Sequence, residues 1–135
     1  MTTPKHVRPH DLQALDIRVA HQGGRVLYLE GAQYSLPLSL LCAEIPSGGG
    51  PPEHTHPYIE IFVVNEGRGR YTVDDEVFEA QRGDVVIVPA DARRFYVNTG
   101  EGLLHHTAIH IAPVLEVTFV GGSQPRSERH RGNVV

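Results

Sequence analysis

The chain reads as an all-β protein, a single sandwich or barrel of short strands. Three observations carry that reading. Short runs rich in Val, Ile, Leu, Tyr and Phe recur between turn signals at regular spacing. No amphipathic segment of useful helical length interrupts them, and no repeat of solenoid period is present. The composition of 14 Gly and 10 Pro with 40% hydrophobic residues suits a turn-rich β protein.

The elements follow in order. Met1 to His10 is polar and contains proline, so it reads as an arm or as an edge strand exchanged with a partner chain. Asp11 to Leu15 reads as a short helical turn, and residues 1–24 together form an N-terminal arm. Arg25 to Glu30 alternates apolar residues and predicts a strand. So does Leu36 to Ile45, which feeds the breaker run Gly48-Gly49-Gly50-Pro51-Pro52. From His54 onward the chain reads as strand again, because Ile59, Ile61, Phe62, Val63 and Val64 are β-branched or aromatic. A hairpin through Glu66-Gly67-Arg68-Gly69 leads to a strand over Arg70 to Val73. Asp74-Asp75 turns the chain into Val77 to Ala80, and Arg82-Gly83-Asp84 turns it into Val85 to Val88. Phe95 to Val97 is a strand, Asn98 to Gly102 a turn, and Leu103 to Ile111 a longer strand. Val114 to Val120 is a last strand or short helix. Ser123 to Asn133 is charged and polar without an apolar period, so residues 121–135 are expected to form a flexible tail. The folded domain is therefore 25–120.

At 135 residues the chain is long enough for one domain with a real core. A net charge of −4 with nine neutral His disfavours nucleic acid as a partner. Cys42 stands alone, so no disulfide framework is available and a reducing compartment is the default. Met1 to Asp16 lacks the pattern of a signal peptide. No apolar run approaches the roughly 18 residues of a membrane span. The expectation is a cytoplasmic protein that meets a small-molecule substrate, without nucleic acid or membrane.

The chemistry concentrates in His54-Thr55-His56-Pro57-Tyr58-Ile59-Glu60. Two imidazoles and a carboxylate stand at i, i+2 and i+6. On one extended strand all three project from the same face. On a helix the spacing scatters them, since two residues are about 200° of turn. Neutral imidazole with carboxylate is a common ligand set for zinc and for non-haem iron, nickel or manganese. His54, His56 and Glu60 are therefore candidate ligands of one divalent metal ion, with Fe or Zn favoured over Mn or Ni.

The flanks make the pattern specific. Gly48, five residues, His54, one residue, His56, three residues, Glu60, six residues and Gly67 together resemble the first motif of the cupin superfamily. Gly83-Asp84-Val85-Val86-Ile87-Val88-Pro89-Ala90, closed by Asn98, resembles the second motif in altered form. The family usually has Gly where Asp91 stands and a metal-binding His where Arg94 stands. The likeness spans Leu36 to Pro113, and Ala108 to Pro113 resembles a segment of small single-domain cupins. The resemblance implies a single jelly-roll β-barrel with its site in the mouth. Family habit, together with the polar arm, also implies a homodimer. Gly67, Gly83, Pro89 and Asn98 are expected as turn and corner residues.

Arg94 departs from the family. A metal held by two neutral His and one carboxylate keeps net charge +1. A guanidinium about 6 Å away repels it by on the order of 3 kcal/mol at an effective dielectric near 20. Three readings remain open: Arg94 binds an anionic substrate that also reaches the metal, it turns outward to a surface acid such as Asp91, or the metal site is degenerate. Counting from Asn98 across a hairpin of the length usual in the family, the resemblance implies that His106, Ala108 and His110 face the barrel interior and His105 the outside. His106 is the preferred fourth ligand, with His110 second. Both, with Arg94, are candidate catalytic groups, because imidazole titrates near neutral pH. Tyr58, Phe62, Tyr96 and Tyr34 are candidate pocket-lining, substrate-binding residues beside Arg94.

A fold shared by many functions cannot choose among them. The resemblance and the ligand set imply a metal-dependent enzyme on a small molecule, first a non-haem oxygenase acting on an anionic or enolisable substrate. The alternative is a redox-neutral cyclase, isomerase or lyase, for example of the polyketide-tailoring kind, using the metal as a Lewis acid. A ligand-binding cupin without catalysis is the second alternative.

Overall fold

The computed structural model describes residues 4–15 and 24–121. Among these it shows the strands β1 (Gln13–Ala14), β2 (Arg25–Leu29), β3 (Ser39–Ile45), β4 (His54–Thr55), β5 (Glu60–Glu66) and β6 (Arg68–Val73). They continue with β7 (Glu76–Gln81), β8 (Val85–Val88), β9 (Arg94–Asn98), β10 (Leu104–His110) and β11 (Thr118–Phe119). Helix is confined to 3-10 turns at Pro9–Asp11 and Gly31–Tyr34. The strands form two antiparallel sheets, one in the order β1-β2-β3-β10-β5-β8 and one in the order β11-β4-β9-β6-β7. This is a double-sheet jelly roll, the sandwich form of the two that the strand pattern allows and the architecture that the family resemblance implies. The sheets face each other rather than closing through one continuous ladder.

Alternation along the strands builds the core. β3 buries Ser39, Leu41, Ala43 and Ile45, and β10 buries Leu104, His106, Ala108 and His110. β5 adds Glu60, Phe62 and Val64, and β9 adds Arg94, Tyr96 and Asn98. The apolar members form one cluster with Tyr71, Val86, Val88, Leu115, Val117 and Phe119. Truncating a buried Leu such as Leu41 to Ala costs about 2–5 kcal/mol in such a core. Phe62 sits 5.1 Å from Tyr71 and 5.7 Å from Tyr96 between ring centroids, an aromatic layer in mid-sandwich. At the end of that layer nearer His54, the same inward positions change from apolar to polar.

Several boundaries differ from the sequence reading. Asp11 to Leu15 is not one helical turn: the 3-10 turn lies earlier, and Gln13–Ala14 pairs with Leu27 and Tyr28 on β2. The strand expected from Leu36 begins at Ser39, because Pro37 has no N–H for a ladder and Ser35 is left-handed at φ 57°. The hairpin after β5 is tighter than expected, with strand resuming at Arg68. Gly67 turns it at φ 78°, where an added Cβ would lie 2.4 Å from the Leu103 carbonyl oxygen. Within Val114 to Val120 only Thr118–Phe119 is strand. The expected tail, from 122 on, lies outside the described residues.

The correction that matters most for function falls between His54 and Glu60. The sequence reads this stretch as one strand. In the structure the chain leaves β4 after Thr55, bends at Pro57-Tyr58, and enters β5 in the opposite sheet. Pro57 supplies no ladder N–H, which ends the pairing there.

Candidate metal centre

Two cross-strand pairs face each other across the sandwich. In the five-stranded sheet His54 on β4 stands opposite Arg94 on β9. In the six-stranded sheet Glu60 on β5 stands opposite His110 on β10. His56 lies in the crossover between them. His54, His56, Glu60 and His110 are fully buried, and Arg94 is 1% exposed. The three residues predicted from one strand face do converge, but through a sheet-to-sheet crossover rather than through strand parity. One ligand atom from each of His54, His56 and Glu60 lies within 4.8 Å of the others.

Backbone carbonyls orient both imidazoles of the motif. Nδ1 of His54 bonds the Pro52 carbonyl at 2.8 Å, and Nδ1 of His56 bonds the Glu116 carbonyl. A carbonyl only accepts, so each Nδ1 carries the proton and each Nε2 carries the lone pair. Burial holds the His56 pKa well below its ordinary 6.5; Glu60 opposes that shift, while His110, His54 and Arg94 reinforce it. His56 is therefore neutral at pH 7, the state a metal ligand needs. Burial alone pushes Glu60 upward, but His110, His56 and Arg94 outweigh it and keep its carboxyl well below the usual range. Burial likewise raises the Tyr58 and Tyr96 hydroxyls, so both stay protonated.

Arg94 neither turns outward nor pairs with Asp91. Its Nη1 donates to Glu60 Oε1 at 2.9 Å. Nε and Nη2 donate to the Ala92 carbonyl at 3.1 and 2.9 Å, and Nη2 also donates to the Pro89 carbonyl at 3.1 Å. The anion beside this guanidinium comes from within the chain, as the Glu60 carboxylate. Asp91 is left-handed at φ 67°, which gives the family's usual glycine there a conformational reason.

His110 and His106 both point inward as counted, but their surroundings differ. His110 Nε2 faces Glu60 Oε2 at 3.0 Å, and its Nδ1 is 2.7 Å from the Tyr58 hydroxyl. Tyr58 also bonds the backbone of Glu116 through both its carbonyl and its N–H. His106 instead lies four residues away, about 13 Å along the strand. It packs against Phe62, Tyr71 and Tyr96, with Nδ1 2.7 Å from the Tyr71 hydroxyl. The expectation of His106 as fourth ligand, or as a catalytic group at the metal, is therefore corrected: strand register sets Glu60 against His110 and sets His106 against Val64. Phe62 and Tyr96 belong to the same aromatic layer, while Tyr58 touches the site directly. Tyr34 is corrected as a pocket residue. It lies on the outside in a groove with Lys5, Val7, Leu29, Leu36 and Leu40. The Pro52 and Glu116 carbonyls escape the sequence reading, since backbone groups leave no signal in residue type.

These residues fit a divalent metal. Neutral imidazole nitrogens and one carboxylate are suitable donors. Ligands about 2.1 Å from one ion lie up to roughly 4.2 Å apart, so the observed spread needs to contract by about half an ångström. Glu60 Oε2 and His110 Nε2 are both buried without a hydrogen-bond partner, as expected of atoms prepared for a cation.

A double-sheet jelly roll carrying a buried His-His-Glu group where the sheets meet is the design of a cupin-type domain. The chain belongs to the cupin family: the cupin domain profile matches residues 42–110. An uncharacterized protein of Methanocaldococcus jannaschii is 38% identical over 64 residues, 46% of this chain and 50% of that protein. The chain thus spans half the length of this curated relative. Among solved structures, an oxalate decarboxylase of Bacillus subtilis, studied for its Mn(II) centres, matches with a TM-score of 0.69 at 21% identity over 73% of this chain and 28% of that one. The formate complex of a Lactobacillus farciminis oxalate decarboxylase matches with a TM-score of 0.73 at 22% identity over 82% and 34%. At these identities the likeness establishes the fold. Among the described residues no helix is long and apolar enough to cross a membrane.

Proposed function

We propose that this cupin is a metal-dependent enzyme acting on a small anionic or enolisable molecule, in the first instance as a non-haem oxygenase. The observation that carries the reading is the buried group of His54, His56 and Glu60, with both imidazoles locked in the tautomer that offers Nε2. When bound, a divalent ion such as iron would supply oxygen activation or Lewis acidity. The protein's own residues set the charge of the site. Glu60 and Arg94 neutralise each other, so an ion held there keeps its full positive charge and favours an anionic partner. His110, fixed by Tyr58 and 3.0 Å from Glu60, is the third imidazole that lines the site. Phe119 pairs with His54 and packs 6.1 Å from its ring, and the Glu116 carbonyl holds His56, so this segment lies against the site.

Metal content after purification without chelators, followed by oxygen uptake against a panel of small carboxylates and diketones, tests the reading. Metal retention with oxygen-dependent turnover is expected. A protein that holds no divalent metal overturns it. Turnover that continues without oxygen moves the assignment to a redox-neutral lyase or isomerase, a second reading supported by the fold likeness to Mn(II)-containing oxalate decarboxylases.

A further inference from the structure

We propose that His110 is a metal ligand, supplying from β10 the imidazole that Arg94 does not supply from β9, and that Tyr58 is the residue that positions it. The inference rests on the metal reading above but goes beyond the donor group that carries it.

The argument begins with the two oxygens of Glu60. Oε1 is engaged by Arg94 at 2.9 Å and also faces His56 Nε2 at 3.6 Å, while Oε2 is the oxygen turned to His110. Oε2 faces His110 Nε2 at 3.0 Å, yet the two atoms are not aligned as a hydrogen bond, and neither has another such partner among the described residues. A buried polar atom left in that state costs about 1–3 kcal/mol. Placing two such atoms face to face is unfavourable for either neutral tautomer of His110, and is relieved by an ion pair with a protonated ring or by a shared metal cation. If Nε2 carries the proton, the N–H misses the carboxylate; if it does not, two lone pairs oppose each other. One cation shared by both atoms removes the penalty.

Tyr58 selects the tautomer. When its hydroxyl donates to the Glu116 carbonyl, it accepts from His110 Nδ1–H, and Nε2 then presents its lone pair toward the site. The same relation holds at His54 and His56, where a backbone oxygen fixes Nδ1 and directs Nε2 inward. All three imidazoles are thus oriented by an oxygen on the far nitrogen, the arrangement found around metal-bound histidine. The His56 and His110 rings stand 4.7 Å apart between centroids at 70°, so their edges converge without stacking. The ligand set becomes His54, His56, His110 and the Glu60 carboxylate, whose Oε1 Arg94 also holds.

Pulsed EPR on the Mn(II)-loaded wild-type protein, with and without ¹⁵N-histidine labelling, counts the coordinating imidazoles. Three are expected, and two overturn the assignment while leaving the three-residue site intact. Mn(II) titration against a competing chelator should show His110→Ala weakened at least ~100-fold. Tyr58→Phe should be weakened about 10-fold while pulsed EPR still counts three imidazoles. An unchanged affinity in His110→Ala overturns the assignment. If that variant does not fold, the imidazole count on the wild type decides. A wild-type protein that binds no Mn(II), Fe(II), Zn(II) or Ni(II) overturns the metal reading itself, and this inference with it.

Discussion

Replacing Arg94 with Met removes the guanidinium while keeping most of the side chain's length, and so isolates the buried charge. In the wild type Nη1 lies 2.9 Å from Glu60 Oε1, with both residues out of solvent. At an effective dielectric near 20 that separation corresponds to a gross attraction of on the order of 6 kcal/mol, largely offset by the desolvation of both groups. Removing one partner does not recover the offset, because Glu60 remains buried as an unpaired carboxylate. The expected loss for Arg94→Met is therefore about 3–5 kcal/mol in the metal-free protein. The Ala92 carbonyl also loses two donors. Removing both charges in Arg94→Met/Glu60→Gln should cost much less than the sum of the single changes, with a coupling of at least ~2 kcal/mol. Urea unfolding at pH 7 in the presence of a chelator measures all three variants. Saturating divalent metal should restore part of the stability of Arg94→Met, because it returns a positive charge to Glu60. An Arg94→Met loss below about 1 kcal/mol, or additivity in the double variant, would refute the claim that this ion pair organises the site.

Other outcomes follow from the same geometry. His54→Ala and His56→Ala should each lose most of the bound metal, whereas Tyr34→Ala, on the outer groove, should keep it; elemental analysis checks all three. Arg94→His restores the family's usual ligand opposite His54, so it should tighten metal binding while lowering metal-free stability, as read by chelator competition and melting. Gly50→Ala should destabilise by about 1–3 kcal/mol in urea unfolding, since a Cβ there would lie 1.8 Å from the Tyr96 carbonyl oxygen. Metal-free stability should also fall on acidification. His56 stays neutral in the fold while the unfolded chain takes up its proton near pH 6.5, so stability present above that pH is lost below it, by up to about 1.4 kcal/mol per pH unit. Glu60, with its folded pKa also depressed, adds a second decline below its ordinary 4.5. An unfolding midpoint that stays flat from pH 7 to pH 5 counts against the buried neutral imidazole.

Much of this protein is legible in the chain alone. Alternation with a period of two shows which residues of a strand share a face, because a strand has only two faces. Parity puts His106 and His110 on one face, and the hairpin length usual in the family turns that face inward. The glycine-framed spacing around His54, His56 and Glu60 points to the ligand group for a different reason: residue type and spacing report which donors share a neighbourhood. Neither signal carries register or backbone direction. That His110, and not His106, meets Glu60 depends on how β10 slides against β5. That His54 and Glu60 belong to opposite sheets depends on a crossover at Pro57 that local propensity reads as strand. Arg94 looks out of place beside a metal as long as its partner is sought outside the chain. Only tertiary packing brings it to the Glu60 carboxylate and two loop carbonyls, because contacts between residues 34 positions apart are decided by how the two sheets face each other rather than by anything in their local sequence.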